Sequence, residues 1–536
     1  MKNSGRTASG RSRGRRSTSG STNSKPAPIS KTAILAVALF AALCGAAAVW
    51  FFYSNGSLLY YGDAEAHLNI ARRVLDSRTP GYDQLGTVWL PLPHILMIPF
   101  ARDLELWRTG LAGSIPSAAC FVLAACFFFS GARRVTGDAV AAVTATAIFV
   151  LNPNALYLQS TAMTEPIFFA AFCGLFYATA AFAETRQPRF VALAGMCAAA
   201  GTLIRYEGWF LLPFAAVFFY ATAQERKFRA AFVFSAIAGM GPLLWLAYNY
   251  WVFDNALEFY NGAGSPRAIQ GGKAYPGLHD WRLAAQYYFT AARLNLGTPL
   301  YWAGWICLPA AVLRFRRMAW PVLLLLLPAI FYLWSMHSSG GTPIFVPSLM
   351  HSWYNTRYGL VLLPFAAFAC AALVSILPAS VRGTAAAVLI LICAGQWLLF
   401  PRPESWVTWK ESQVNSESRR AWTSQAIGML SAEYKPGQTI YSTPGDVLGI
   451  YRRMGIPFRD VLTVDNGPLY QAVTVRPDLF LWTRWAVCFA GDDTQTTVDK
   501  ARLSGLDYEL KHDIVVPNAA VLQIYRRSPQ APNILP

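Results

Sequence analysis

The chain has 536 residues, of which 54% are hydrophobic and only 14% charged, and a formal net charge of +17. That composition excludes an ordinary soluble protein, and the repeated long apolar runs are those of a polytopic helical membrane protein. The positive charge does not call for nucleic acid, because the basic residues cluster at the N-terminus and at the ends of apolar runs, as the positive-inside rule requires.

Residues 1–31 are rich in Ser, Gly and Arg and carry eight basic residues and no acid. They read as a disordered cytoplasmic tail that fixes topology and can touch anionic lipid heads. Thr32 to Tyr53 is too long for a signal-peptide core and has no convincing cleavage site, so it reads as the first span, running outward. The stretch that follows holds Asp63, Glu65 and His67 at the membrane surface. Asp63 and His67 are four apart, which a helix would place on one face. Ionisable groups at this depth need solvation or a partner and read by default as functional. The alternative is a solvated loop whose acids cap the next helix.

A short apolar run, Ile95 to Ala101, is too short to cross and reads as interfacial or re-entrant; it overlaps the Pro-containing segment Trp89 to Pro99. Further spans fall near 111–131, 139–157, 167–183, 190–204, 209–223, 230–252, 299–313, 319–335, 359–377 and 384–400, giving about eleven transmembrane helices in all. Every short inner turn carries Arg or Lys. The outer turns after the spans near 139–157, 190–204 and 319–335 carry only Arg205 and Arg357, which makes those two arginines exceptional. Eight of the nine cysteines lie in apolar runs, with no disulfide framework and no metal-ligand spacing.

One side of the membrane thus gathers Asp63, Glu65, His67, Glu165, Arg205, Glu207 and Arg357 from four separate outer segments. Acids with arginines suit one chemistry. Arg gives a lipid phosphate a bidentate cationic partner. A carboxylate can take the proton from an acceptor hydroxyl as it attacks the carbon bearing that phosphate. For Arg205 and Glu207 a purely internal salt bridge is an equal alternative, and Glu165 after Thr164 could serve as a helix-start acid.

Four features carry a family resemblance. They are the acids of Gly62-Asp63-Ala64-Glu65, the interfacial segment, the acid of Met163-Thr164-Glu165-Pro166, and Arg357-Tyr358 opening a late helix. Tyr248 to Asp254 adds a fifth, partial match. In these the chain resembles the GT-C membrane glycosyltransferases of the dolichyl-phosphate-mannose protein mannosyltransferase and aminoarabinose transferase kind, over about residues 30–400. The resemblance implies an inverting glycosyltransferase, hexosyl or pentosyl, that uses a polyprenyl-phosphate-linked sugar donor. Its acceptor is a protein, lipid or glycan on the outer face of what should be the bacterial inner membrane. By motif position Asp63 is the general base, Glu165 the second acid with Glu65 beside them, and Arg357 holds the donor phosphate. Arg205 is a further phosphate-binding candidate, and His67, Glu207 and Tyr358 are substrate-binding candidates. No metal or other cofactor is expected; a divalent metal is the less favoured alternative. The competing reading is a lipid or lipid-linked sugar transporter or flippase, which calls for midspan charges and inverted repeats. A third is a non-catalytic assembly subunit.

Residues 401–536 are far more polar and read as an extracytoplasmic soluble α/β domain. Helices are expected over 425–433 and 447–454, and strands over 439–442, 479–483, 515–516 and 520–525. Thr443 to Asp446, before a helix, is a candidate anion site. The domain is assigned to acceptor binding or to a lid.

Overall fold

The computed structural model describes residues 29–314, 319–395, 397 and 405–528. Most of the basic tail, Arg316 and Arg317, and the boundary expected at 400/401 lie outside these residues. The helices that frame the site run in chain order. They are α1 (Lys31–Ser54), α2 (Gly62–Asp76), α3 (Leu92–Ala101), α4 (Leu111–Thr136), α5 (Ala139–Val150), α6 (Pro153–Gln159) and α7 (Glu165–Thr185). Then come α8 (Pro188–Thr202), α9 (Glu207–Thr222), α10 (Lys227–Phe253), α11 (Trp281–Leu296), α12 (Thr298–Arg314), α13 (Leu327–Ser338), α14 (Leu363–Ile376) and α15 (Ala379–Ile390).

Among the described residues five helices are long and apolar enough to cross a membrane, or up to seven if each of two bent pairs is one span. The count of eleven is therefore not reached by length. A break at Asn152, the N-cap of α6, splits the span expected near 139–157, and a sharp bend at Gly297 separates α11 from α12, the span expected near 299–313. Several others, such as α9, run only four turns.

Burial orders the bundle. The most apolar windows of α1 and α10 are only 22% buried, and Leu35, Leu39, Leu43 and Trp50 of α1 are exposed. In lipid such faces need no protein cover. The window of α7 is 83% buried and that of the segment Thr356–Ile376 is 89% buried, so these two form the centre. Close packing around them needs small residues. A Cβ at Gly359 would lie 2.4 Å from the Ala292 nitrogen, and one at Gly208 would lie 2.5 Å from the Gly201 backbone. These two glycines let the 3₁₀ turn Thr356–Leu362 press on α11 and the start of α9 press on α8. At the far end of the bundle Arg134 pairs with Glu184 at 2.6 Å and Arg382 with Asp138 at 2.7 Å.

The C-terminal part opens with α16 (Val407–Asn415) and α17 (Glu417–Glu433). Its sheet comprises β1 (Ile440–Ser442), β2 (Val461–Leu462), β3 (Trp485–Phe489), β4 (Tyr508–Ile514) and β5 (Leu522–Arg527), in the order β2-β1-β3-β5-β4. β1 pairs in parallel with β2 and β3, and β5 pairs antiparallel with β3 and β4. Helix α18 (Leu448–Met454) follows β1 and α19 (Asp493–Leu503) follows β3. Residues 477–480 form a short helix instead of the start of a strand, because Pro477 sets a helical first turn. The strand expected at 515–516 lies just before, over 508–514. The candidate anion site at Thr443 to Asp446 is taken up internally: Thr443 Oγ1 donates to Asp492, and Asp446 accepts from Arg419 at 3.2 Å.

Candidate active site

Helix starts and turns at one end of the bundle supply the site. Glu165 is the first residue of α7, Glu207 the first of α9, and Asp63 lies in the first turn of α2. Carboxylates at these positions meet the positive ends of helix dipoles. Arg205 lies in the turn between α8 and α9, and Arg357 in the 3₁₀ turn ahead of α14. The two most buried spans therefore begin with one member each of the central ion pair, Glu165 and Arg357.

Arg357 is the hub. Its Nη2 donates to Asp63 Oδ2 at 2.5 Å, its Nε donates to Glu165 Oε1 at 3.1 Å, and its Nη1 lies 3.7 Å from Glu411 Oε1. Arg205 shares Glu165: Nη1 donates to Glu165 Oε1 at 3.0 Å and to Thr164 Oγ1 at 2.7 Å. Its Nε donates to Glu207 Oε1 at 2.5 Å and its Nη2 donates to the Tyr332 hydroxyl, which in turn donates to Glu207. Four carboxylates thus surround two guanidiniums. The side chains of Arg357, Glu165, Glu207 and Glu411 are at most 7% exposed, whereas Asp63 is 39% exposed. Asp63 is the most exposed acid of the cluster.

A cavity at this cluster has a volume of about 400 Å³ and is lined by Asp63, His67, Arg205, Glu207, Arg357 and Tyr358, with Trp89, Phe331 and Trp334 on its apolar wall. A charged cluster beside aromatic rings suits a ligand with an anionic head and an apolar remainder.

The structure brings together Asp63, Glu165, Arg205, Glu207, Arg357 and Tyr358. Tyr358 stacks on Tyr332 at 4.7 Å and lies under both guanidiniums. Glu65 is not with them, which corrects the expectation that it stands beside the base. Two residues along a helix is about 200° of rotation, so Asp63 and Glu65 face opposite ways. Glu65 turns to the C-terminal part, where Arg452 of α18 donates to Oε1 at 2.9 Å and Arg419 of α17 lies 3.3 Å from Oε2. We expect Glu65→Gln to loosen that docking, measured as faster limited proteolysis of the C-terminal part and a lower Tm. Thr164 makes no capping bond; its hydroxyl receives Arg205 instead.

His67 shares the cavity face with Asp63, and its Nδ1 bonds His94 Nε2 at 2.9 Å. Burial, then the nearby Arg357 and Arg205, push its pKa down to about 3 from 6.5, so it stays neutral. The folded state then binds fewer protons than the unfolded state between these values. Stability is held above about pH 6.5 and lost as pH falls toward 3, by about 1.4 kcal/mol per unit. His67→Gln should flatten the acid side of a Tm-against-pH curve.

Three site residues lie outside the sequence expectation: Tyr332, Glu411 and His94. Tyr332 carries no signal within its apolar helix. Glu411 stands in the polar tail, and His94 in an apolar segment, where a buried histidine could have been suspected. Among the described residues no group of three or more His, Cys, Asp or Glu could hold a metal ion.

Residues 106–251 match the family model described as dolichyl-phosphate-mannose-protein mannosyltransferase. No curated protein matches the chain. Among solved structures, ArnT from Cupriavidus metallidurans bound to undecaprenyl phosphate aligns over 92% of this chain and 97% of its own, with 14% identity and a TM-score of 0.54. Its apo state aligns over the same shares with 13% identity and a TM-score of 0.55. The archaeal oligosaccharyltransferase AglB from Archaeoglobus fulgidus, in complex with an inhibitory peptide and a dolichol-phosphate, aligns over 94% of this chain and 75% of its own, with 14% identity and a TM-score of 0.45. The fold is that of the GT-C membrane glycosyltransferases. Within it the chain resembles ArnT over nearly its whole length and the protein mannosyltransferases over residues 106–251.

Proposed function

We propose that the protein is an inverting glycosyltransferase that moves one sugar from a polyprenyl-phosphate carrier to an acceptor on the outer face of a membrane. The observation that carries this reading is the hydrogen bond between half-open Asp63 and buried Arg357 in the lining of the cavity. A base and a phosphate-binding cation are thereby within reach of one bound molecule.

A donor phosphate entering the cavity competes with Asp63 for Arg357. When the phosphate takes the guanidinium, Asp63 Oδ2 is freed to accept a proton. The acceptor hydroxyl attacks the anomeric carbon from the side away from the phosphate. The new C–O bond forms as the bond to the phosphate oxygen breaks, the proton passes to Asp63, and the lipid phosphate leaves with its charge held by Arg357. Attack opposite the leaving group inverts the anomeric centre. Glu165, clamped between both arginines, fixes their spacing. The arginines supply the positive charge, so this reading needs no metal.

The arginine-bearing turns at the far end of the bundle support an inner location for that end and an outer one for the site. In this reading the N-terminus is cytoplasmic, the C-terminal part extracytoplasmic, and the membrane the bacterial inner membrane. A transporter is not favoured: the charges of this site gather at helix starts, not at midspan. The test is transfer by the purified protein in nanodiscs, offered a panel of polyprenyl-phosphate sugars. Release of free polyprenyl phosphate with loss of donor is the expected result. A well-folded protein that neither binds nor consumes any donor sinks the reading.

A further inference from the structure

The third acid on Arg357 comes from outside the spans. Glu411 lies on α16, the first helix of the C-terminal part, and is buried. Its Oε2 accepts the Thr356 N–H at 2.9 Å and also the Thr356 hydroxyl, while its Oε1 faces Arg357 Nη1. The Thr356 carbonyl is held as well, by Asn295 Nδ2 at 2.7 Å. Both ends of the residue that precedes Arg357 are therefore fixed by buried side chains.

Helix α16 is in turn tied to the bundle. Thr408 donates its N–H and its hydroxyl to Asn154 Oδ1, each at 2.9 Å, and Asn154 Nδ2 donates to the Asn295 carbonyl at 2.9 Å. Tyr157 and Ser412 share a hydrogen bond of 2.7 Å. One polar chain runs from α16 through α6 and α11 to the turn that carries Arg357.

A buried carboxylate is poor glue, since well-packed apolar residues hold a contact as well or better. An acid set here has a use only if something nearby needs its charge or its paired acceptors. Burial raises the Glu411 pKa, and Arg357 and Thr356 oppose that rise. We infer that Glu411 is a positioning residue for Arg357, through which the C-terminal part completes the donor-phosphate site. This rests on the reading of Arg357 as the phosphate-binding group. Glu411 itself does not touch substrate; it sets where the guanidinium points when Asp63 lets go.

The experiment uses the full chain in nanodiscs and sugar-free polyprenyl phosphate as the probe, with Tm recorded for every variant. Glu411→Gln should weaken binding of the probe about tenfold, because the Arg357 guanidinium loses the carboxylate that sets its direction. KM for the donor should rise with it, and Glu411→Asp should recover part of the loss. In an Arg357→Gln background the same change should have no further effect on binding. A merely structural role would lower Tm and the folded fraction but leave Kd per folded molecule unchanged, and that outcome overturns the inference. So does an equal loss in both backgrounds. If wild type itself binds no polyprenyl phosphate, the donor reading falls and the inference falls with it. Wild-type binding with an unaltered Glu411→Gln removes the inference alone.

Discussion

Asp63→Asn is expected to lower sugar transfer by on the order of a thousandfold, the middle of the range for a lost general base. Asn keeps an oxygen that can accept from Arg357, so the ion-pair neighbourhood keeps its shape while the proton acceptor is gone. The helix start and the cavity lining should survive, because Asp63 is the one acid of the cluster that is not deeply buried. Single-turnover transfer and donor Kd measured together check this. The expected pattern is a large fall in rate with donor binding unchanged or tighter, since the variant no longer competes with the phosphate by charge. Full activity in Asp63→Asn would move the base elsewhere, with Glu165 next.

Arg357→Ala carries the second large effect, and it acts on both binding and stability. The guanidinium pairs with Asp63, Glu165 and Glu411 at once. Without it Glu165 keeps Arg205, but Glu411 loses its cation while buried at 1% exposure. Removing one partner of a buried pair costs about 3 kcal/mol or more. We therefore expect a clear fall in Tm as well as a loss of donor binding greater than tenfold. Arg357→Lys separates the two effects. It restores charge, and so most of the Tm, but a single ammonium cannot reach two carboxylates and a phosphate in the fixed geometry of a guanidinium. Donor binding should stay weak in Arg357→Lys. A lysine variant with wild-type donor affinity would show that only charge matters there.

Much of this protein is legible along the chain. Apolar run length reveals the membrane bundle, and Arg and Lys at alternate turns reveal which acids share a side. Helical spacing correctly pairs Asp63 with His67, and the rarity of Arg at one end singles out Arg205 and Arg357. All of these are local signals, read from residues a few positions apart or from sign and frequency alone. Glu65 shows where local reading stops. A pair of acids two apart looks like one site until the helix between them is built, and then they face different halves of the molecule.

What tertiary structure alone decides is partnership. Arg357 and Asp63 are 294 positions apart, and Arg205 and Glu165 are 40 apart. Only packing of α7 and α14 at the centre brings these groups to one cavity. Glu411 is the plainest case, because in sequence it belongs to a polar tail with no visible link to the spans. Its burial against Thr356 and Arg357 depends on α16 folding back onto α6 and α11 through Asn154 and Asn295. The amino-acid sequence by itself determines the apolar helical bundle and the residue types of the site. Which acid meets which arginine is set by contacts between distant segments, whose energies no local pattern encodes.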